Sequence, residues 1–176
     1  MIPRSQVKQD LVLSRALVEL YGNLSVVHTV AFRGGTALHK LFFDRHGRYS
    51  EDIDLVQIDT GAIGPILKAI RTSLDPWLGE PKWKQSQGRV TMIYRFETTS
   101  KPIQLMRLKV EINTREHFVV FGIQRHPFVV DSPWFSGNAD ISTYRIEELQ
   151  RDEAARSLSE KEGARPLQPL ARSYIA

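Results

Sequence analysis

Apolar residues at Val7, Leu11, Leu13, Ala16, Leu17 and Leu20 recur mostly at three- and four-residue steps. That spacing predicts an amphipathic helix over 6–21, with Gly22-Asn23 as its stop. The β-branched run from Val26 to Phe32 predicts a short buried strand that ends in the tight turn Arg33-Gly34-Gly35. Thr36 is placed to cap a helix through Ala37, Leu38, Lys40, Leu41 and Phe42. A polar stretch over 44–50 leads to a strand over 53–56. Ile63, Ile66, Leu67 and Ile70 then give helical spacing over 61–74.

The period changes in the middle of the chain. Residues 83–85 and 90–96 flank Ser86-Gln87-Gly88 and predict a β-hairpin, and the alternation over 103–112 predicts another strand. Shorter extended pieces follow over 118–123 and 128–130. The order is helix, strand, helix, strand, helix, then several strands, which is an α+β arrangement with a mixed sheet. No internal repeat is present. Residues 151–162 have helical propensity but no clean apolar stripe, and Pro166 and Pro169 bar a helix across 165–170. The expected organisation is one domain over 1–149 and a poorly ordered tail over 150–176.

Composition removes several classes. The 176 residues suffice for one sizeable core. No window approaches the roughly 18 unbroken apolar residues of a membrane helix. The first residues turn polar at once and lack a signal-peptide core. With no cysteine there is no disulfide, thiolate metal site or cysteine nucleophile. These features suit a cytoplasmic protein. The 24 Lys and Arg against 20 Asp and Glu permit a polyanionic partner such as RNA without requiring one. The five histidines show no ligand spacing, so no zinc is expected. Trp77, Trp83 and Trp134 are open to two readings, base stacking or ordinary packing.

Candidate chemistry lies at Asp52 and Asp54. On a strand they point to the same face, with Cα atoms roughly 6.5 Å apart, while Ile53 and Leu55 face the other way. Two adjacent carboxylates suit Mg²⁺, which takes oxygen ligands and shares them with substrate phosphates. Taken alone, such a pair more often marks the solvent face of an edge strand. Upstream, Gly34-Gly35-Thr36 lets backbone approach a ligand closely at the start of a helix, where amides can hold a phosphate. An anion cradle beside a dicarboxylate is what metal-assisted nucleotide transfer requires.

The segments Phe32-Arg33-Gly34-Gly35-Thr36-Ala37-Leu38-His39-Lys40-Leu41 and Arg48-Tyr49-Ser50-Glu51-Asp52-Ile53-Asp54-Leu55 together resemble the AbiEii/AbiGii-type toxins. That family lies in the DNA-polymerase-β-like nucleotidyltransferase superfamily and includes the MenT toxins. The resemblance covers roughly residues 7–149. It implies a nucleotidyltransferase fold with a mixed sheet flanked by helices, and a third carboxylate on a later central strand. Glu111, in Lys109-Val110-Glu111-Ile112-Asn113, fits that role; its residues alone also allow a cross-strand ion pair with a Lys or Arg.

By resemblance, Asp52, Asp54 and Glu111 are the metal and catalytic residues. Gly34, Gly35, Thr36, Lys40 and Ser50 are the nucleotide-binding set; Lys40 and Arg48 are open to phosphate contact or plain solvation, and Ser50 and Glu51 to orienting the loop, with Ser50 equally a helix or turn cap. Mg²⁺ and an NTP are the implied cofactor and substrate; a cognate antitoxin and tRNA, or another RNA, are the implied partners. The implied activity is Mg-dependent transfer of NMP from NTP to an RNA hydroxyl by a type IV toxin. The alternative is a catalytically dead remnant that only binds antitoxin or nucleotide.

The family's sheet is followed by a helical half. This chain follows the opening of that half over 144–149 and departs from Gln150. Reading permitted codons one nucleotide later makes a family-like string available, with its lysine and Gly-Arg-Asp element. The expectation is therefore a frameshift near Leu149 or Gln150, with the C-terminal helical half missing.

Overall fold

The computed structural model of the chain describes residues 4–43, 50, 52–98, 101–116 and 120–163. The expectations for Arg48, Glu51, Phe118 and the tail from 164 onward fall outside the described residues.

Helix α1, Arg4–Tyr21, buries Leu13, Ala16, Leu17 and Leu20 on one stripe, the step of a 3.6-residue helix. Gly22 and Asn23 end it. The run after Asn23 is not all strand, as its β-branched composition suggests. Leu24–Thr29 forms a short helix, α2, because the Asn23 side chain accepts a hydrogen bond from the Ser25 amide at 3.0 Å and so caps it. Val26 and Val27 are buried from that helix, and the strand β1 covers only Val30–Arg33. A cap and a tertiary contact outweigh the β-propensity of two valines.

The turn after β1 also differs from expectation. Helix α3, Gly34–Phe42, starts two residues before Thr36, and its N-cap, Arg33, makes no side-chain capping bond. Thr36 is inside the helix and does not cap it. Strand β2, Asp52–Gln57, follows, and then α4, Gly64–Leu78, which runs one turn past the predicted end. The hairpin and the alternating segment form as expected: β3 Lys82–Ser86, β4 Arg89–Glu97 and β5 Leu105–Asn113. The extended pieces near 123 and 128 join into one strand, β6 Ile123–Asp131. Strand β7, Ser136–Tyr144, is absent from the sequence-based expectation. Its buried residues Ile141, Ser142, Thr143 and Tyr144 are consecutive, so it shows no period of two. Two of them are polar; Ser142 Oγ donates to Val27 O and Thr143 Oγ1 to Phe32 O, both at 2.7 Å. Helix α5, Ile146–Gly163, runs unbroken across the 149/150 position.

The strands form one mixed sheet in the order β3-β4-β5-β2-β1-β7-β6. At its centre β2 is antiparallel to β1 and parallel to β5. Phe32, Ile53, Leu55, Val110 and Ile112 join Leu13, Leu17, Leu20, Ile70 and Leu74 in one core. Tyr94 is fully buried there, its hydroxyl donating to Asp75 Oδ1 of α4 at 3.0 Å. This α+β architecture, with a mixed seven-stranded sheet flanked by helices, agrees with the predicted class. Among the described residues no helix is long and apolar enough to cross a membrane.

Phe32 is fully buried opposite Leu55. Phe32→Ala is expected to lower unfolding free energy by about 3–5 kcal/mol, read by urea denaturation.

Candidate active site

Register brings the carboxylates together. Asp52 lies opposite Lys109 and Asp54 opposite Glu111 across the parallel β2–β5 pair, while Arg33 lies opposite Asp54 across β1–β2. Because side chains alternate, Arg33, Asp52, Asp54, Lys109 and Glu111 share the face away from Ile53 and Leu55. The turn sits directly over them. Gly34 has φ +81°, and a methyl group added to it would lie 3.0 Å from Asp54 Oδ2. A side chain there is disfavoured twice, by backbone conformation and by the carboxylate.

Protein cations already face each acid. Lys109 Nζ lies 2.9 Å from Asp52 Oδ2 and 3.6 Å from Glu111 Oε2. Arg89 Nε is 3.2 Å from Glu111 Oε1, and Arg156 Nη1 is 4.0 Å from Asp54 Oδ2. The two sequence readings of Glu111 therefore coexist: it stands beside Asp54 and also makes ion pairs, one of them cross-strand. Burial pushes the Asp54 carboxyl above the usual range; Arg156 opposes that, and Glu111 and Asp52 add to it. Burial works against the Lys109 ammonium, but the hydrogen bond and charge of Asp52, with Glu111 and Asp54, outweigh it and raise its pKa.

The predicted nucleotide-binding residues divide between two sides of α3. Gly35, Thr36, Lys40 and Ser50 line a cavity of about 440 Å³ that Trp134 also borders. Gly34 lines a second cavity, with Arg33, Arg115, Glu153 and Arg156. Lys40 is tied to α1, where its Nζ pairs with Asp10 at 2.5 Å and donates to Ser14 Oγ at 2.8 Å. Burial lowers its pKa, with Asp10 acting in the opposite sense. Ser50 Oγ accepts from the Asp52 amide at 3.2 Å and so fixes the entry of β2. Trp77 packs under Arg15, whose guanidinium lies 4.3 Å from the ring centre, and Trp83 and Trp134 are exposed.

Sequence reasoning missed Lys109, Arg89, Glu153 and Arg156. The signal for Lys109 was available, since it precedes Glu111 by two on an alternating strand. The others depend on strand partnering and on where α5 lands.

Residues 15–151 match the family described as nucleotidyl transferase AbiEii toxin, type IV TA system. The chain belongs to this family. The family resemblance and the fold class expected from sequence both hold. Among solved structures, MenT4, a nucleotidyltransferase toxin from Mycobacterium tuberculosis H37Rv, is similar, with a TM-score of 0.62 and 18% identity. The match covers 86% of this AbiEii-family chain and 52% of MenT4, so the chain spans about half of MenT4's length. No curated protein sequence matches it significantly.

The AbiEii-family donors at this site are hard carboxylate oxygens on one face, the chemistry Mg²⁺ prefers. Among the described residues, however, no three acidic or His side chains are gathered closely enough to hold a metal ion. Lys109 lies between two of the acids.

Gly34→Ala is expected to cost about 1–2 kcal/mol from the left-handed backbone alone, read by urea denaturation. Asp54 has a second signature. With its folded pKa raised, ionising the carboxyl costs the native state, so its favourable contribution is complete below the unfolded value and is lost as pH rises through the folded one. Asp54→Asn should therefore match or exceed wild-type stability at pH 7, and that advantage should vanish below about pH 4. An asparagine variant less stable at pH 7 would show that Arg156, not burial, dominates.

Proposed function

We propose that this chain transfers a nucleoside monophosphate from an NTP to a hydroxyl of RNA, with the acceptor end of tRNA as the favoured substrate. The reading rests on the pairing of Asp54 with Glu111, one pleat from Asp52, under a glycine turn that opens a helix. Family membership supports it. In the proposed reaction the acceptor oxygen attacks the α-phosphorus in line. The bond to pyrophosphate breaks, pyrophosphate leaves, and the hydroxyl proton passes to the Glu111 carboxylate. Asp52 and Asp54 would share Mg²⁺ with the substrate phosphates, and Glu111 would complete the set where Lys109 gives way; the ion would supply positive charge to the phosphates. Gly34 and Gly35 would present backbone amides to the triphosphate at the positive end of α3. Ser50 keeps Asp52 at the strand entry. The implied setting is the cytoplasm, with a cognate antitoxin as partner.

A non-catalytic role in binding antitoxin or nucleotide is the second reading. It is favoured by one observation, the protein cations already paired with all three acids.

Incubation with labelled NTPs, Mg²⁺ and total RNA separates the two. Labelled RNA is expected, falling by about a hundredfold or more in Asp52→Ala and Asp54→Ala. Bound Mn²⁺, read by electron paramagnetic resonance, should fall in parallel. Labelling that survives both substitutions would overturn the proposal. No labelling, with nucleotide binding retained, would establish the second reading.

A further inference from the structure

Helix α5 brings two side chains of opposite sign to the two halves of this site. A Cβ added to Gly35 would lie 2.8 Å from Glu153 Oε2 and 3.1 Å from Oε1. The Glu153 carboxylate therefore fills the open face of the turn, at the positive end of α3. Three residues on, and so on the same face of the helix, Arg156 reaches Asp54. An anion lies against the glycine turn, and a cation lies within ion-pair range of Asp54. Both residues are beyond residue 151, where the family match ends.

The way α5 is held adds to this. Its base is anchored: Leu149 is fully buried, and buried Glu148 accepts from the Val120 amide at 3.0 Å and from the Phe121 amide at 3.4 Å. Its distal part is held against α3 with fewer buried groups. Residues 154–159 are all exposed, Leu158 included. Opening such a segment while its base stays in place costs less than unfolding the core.

We propose that α5 is a built-in plug of the nucleotidyl-transfer site. Glu153 takes the place of a substrate phosphate at Gly35, and Arg156 takes the place of a cation on Asp54. The inference rests on the nucleotidyltransferase reading of the site. Binding of a divalent cation with a triphosphate must then displace the distal part of α5, and the displacement cost weakens the apparent affinity for both.

The test uses the full chain, with Mn²⁺ and inorganic tripolyphosphate as probes. Arg156→Gln should tighten Mn²⁺ and Glu153→Gln should tighten tripolyphosphate, each by about fivefold, the effect of removing one nearby charge at a partly solvated site. In the wild type, Mn²⁺ with tripolyphosphate should speed amide exchange over 152–159 while leaving the anchored base unchanged. Affinities unchanged or weakened by both substitutions would overturn the plug. So would absence of binding in every variant, or slower exchange over 152–159 on ligand addition. Tighter binding without labelled RNA leaves the plug standing and removes the transfer reading. RNA labelling by the wild type, with affinities that neither substitution alters, does the reverse.

Discussion

The parallel pairing of β2 with β5 is the constraint on which the rest of the structure depends. It places Ile53 beside Val110 and Leu55 beside Ile112 in the core, and in the same stroke places Asp54 beside Glu111 on the opposite face. Strand periodicity couples the two outcomes: a slip of one residue would bury two aspartates and expose two aliphatic side chains. Moving a carboxylate into an apolar interior without a partner costs far more than losing one aliphatic contact. The hydrophobic core therefore enforces the arrangement of the acids, although it never touches them.

On the polar face the energetic problem is reversed. Asp52, Asp54 and Glu111 repel one another in a half-buried setting, and the chain answers with Lys109, Arg89 and Arg156. Lys109 contributes from the same strand as Glu111, so its position is set by the same ladder. Arg156 comes from a helix far along the chain and meets Asp54 at a longer distance with its side chain about half exposed. These partners differ in how closely they approach: Lys109 and Arg89 lie nearer their acids than Arg156 does to Asp54.

Much of this was legible in the sequence where one period dominates. The stripe of α1, the hairpin β3–β4 and the alternation of β2 and β5 are all local patterns, and the structure realises them. The acids were legible for the same reason, because Asp-x-Asp on a strand can only share a face. What escaped was set by competition or by distance. In α2, the Asn23 cap overrides two valines that read as strand. In β7, burial on both faces of residues 141–144 erases alternation, and polar Ser142 and Thr143 hide a core position. In α5, a helix without an apolar stripe gave no sign of its contact, because it meets Gly35 and Asp54 through charges.

Thr143 illustrates how narrow a position can become. It is fully buried and paired with Phe32, and its hydroxyl satisfies the Phe32 carbonyl, one residue before the end of β1. The extended backbone favours a β-branched residue, the tight surroundings exclude a larger one, and the carbonyl demands a donor. Valine meets the first two demands, serine the last two, and only threonine meets all three. Across the seam between β1 and β7, a single letter of the amino-acid alphabet is the whole vocabulary.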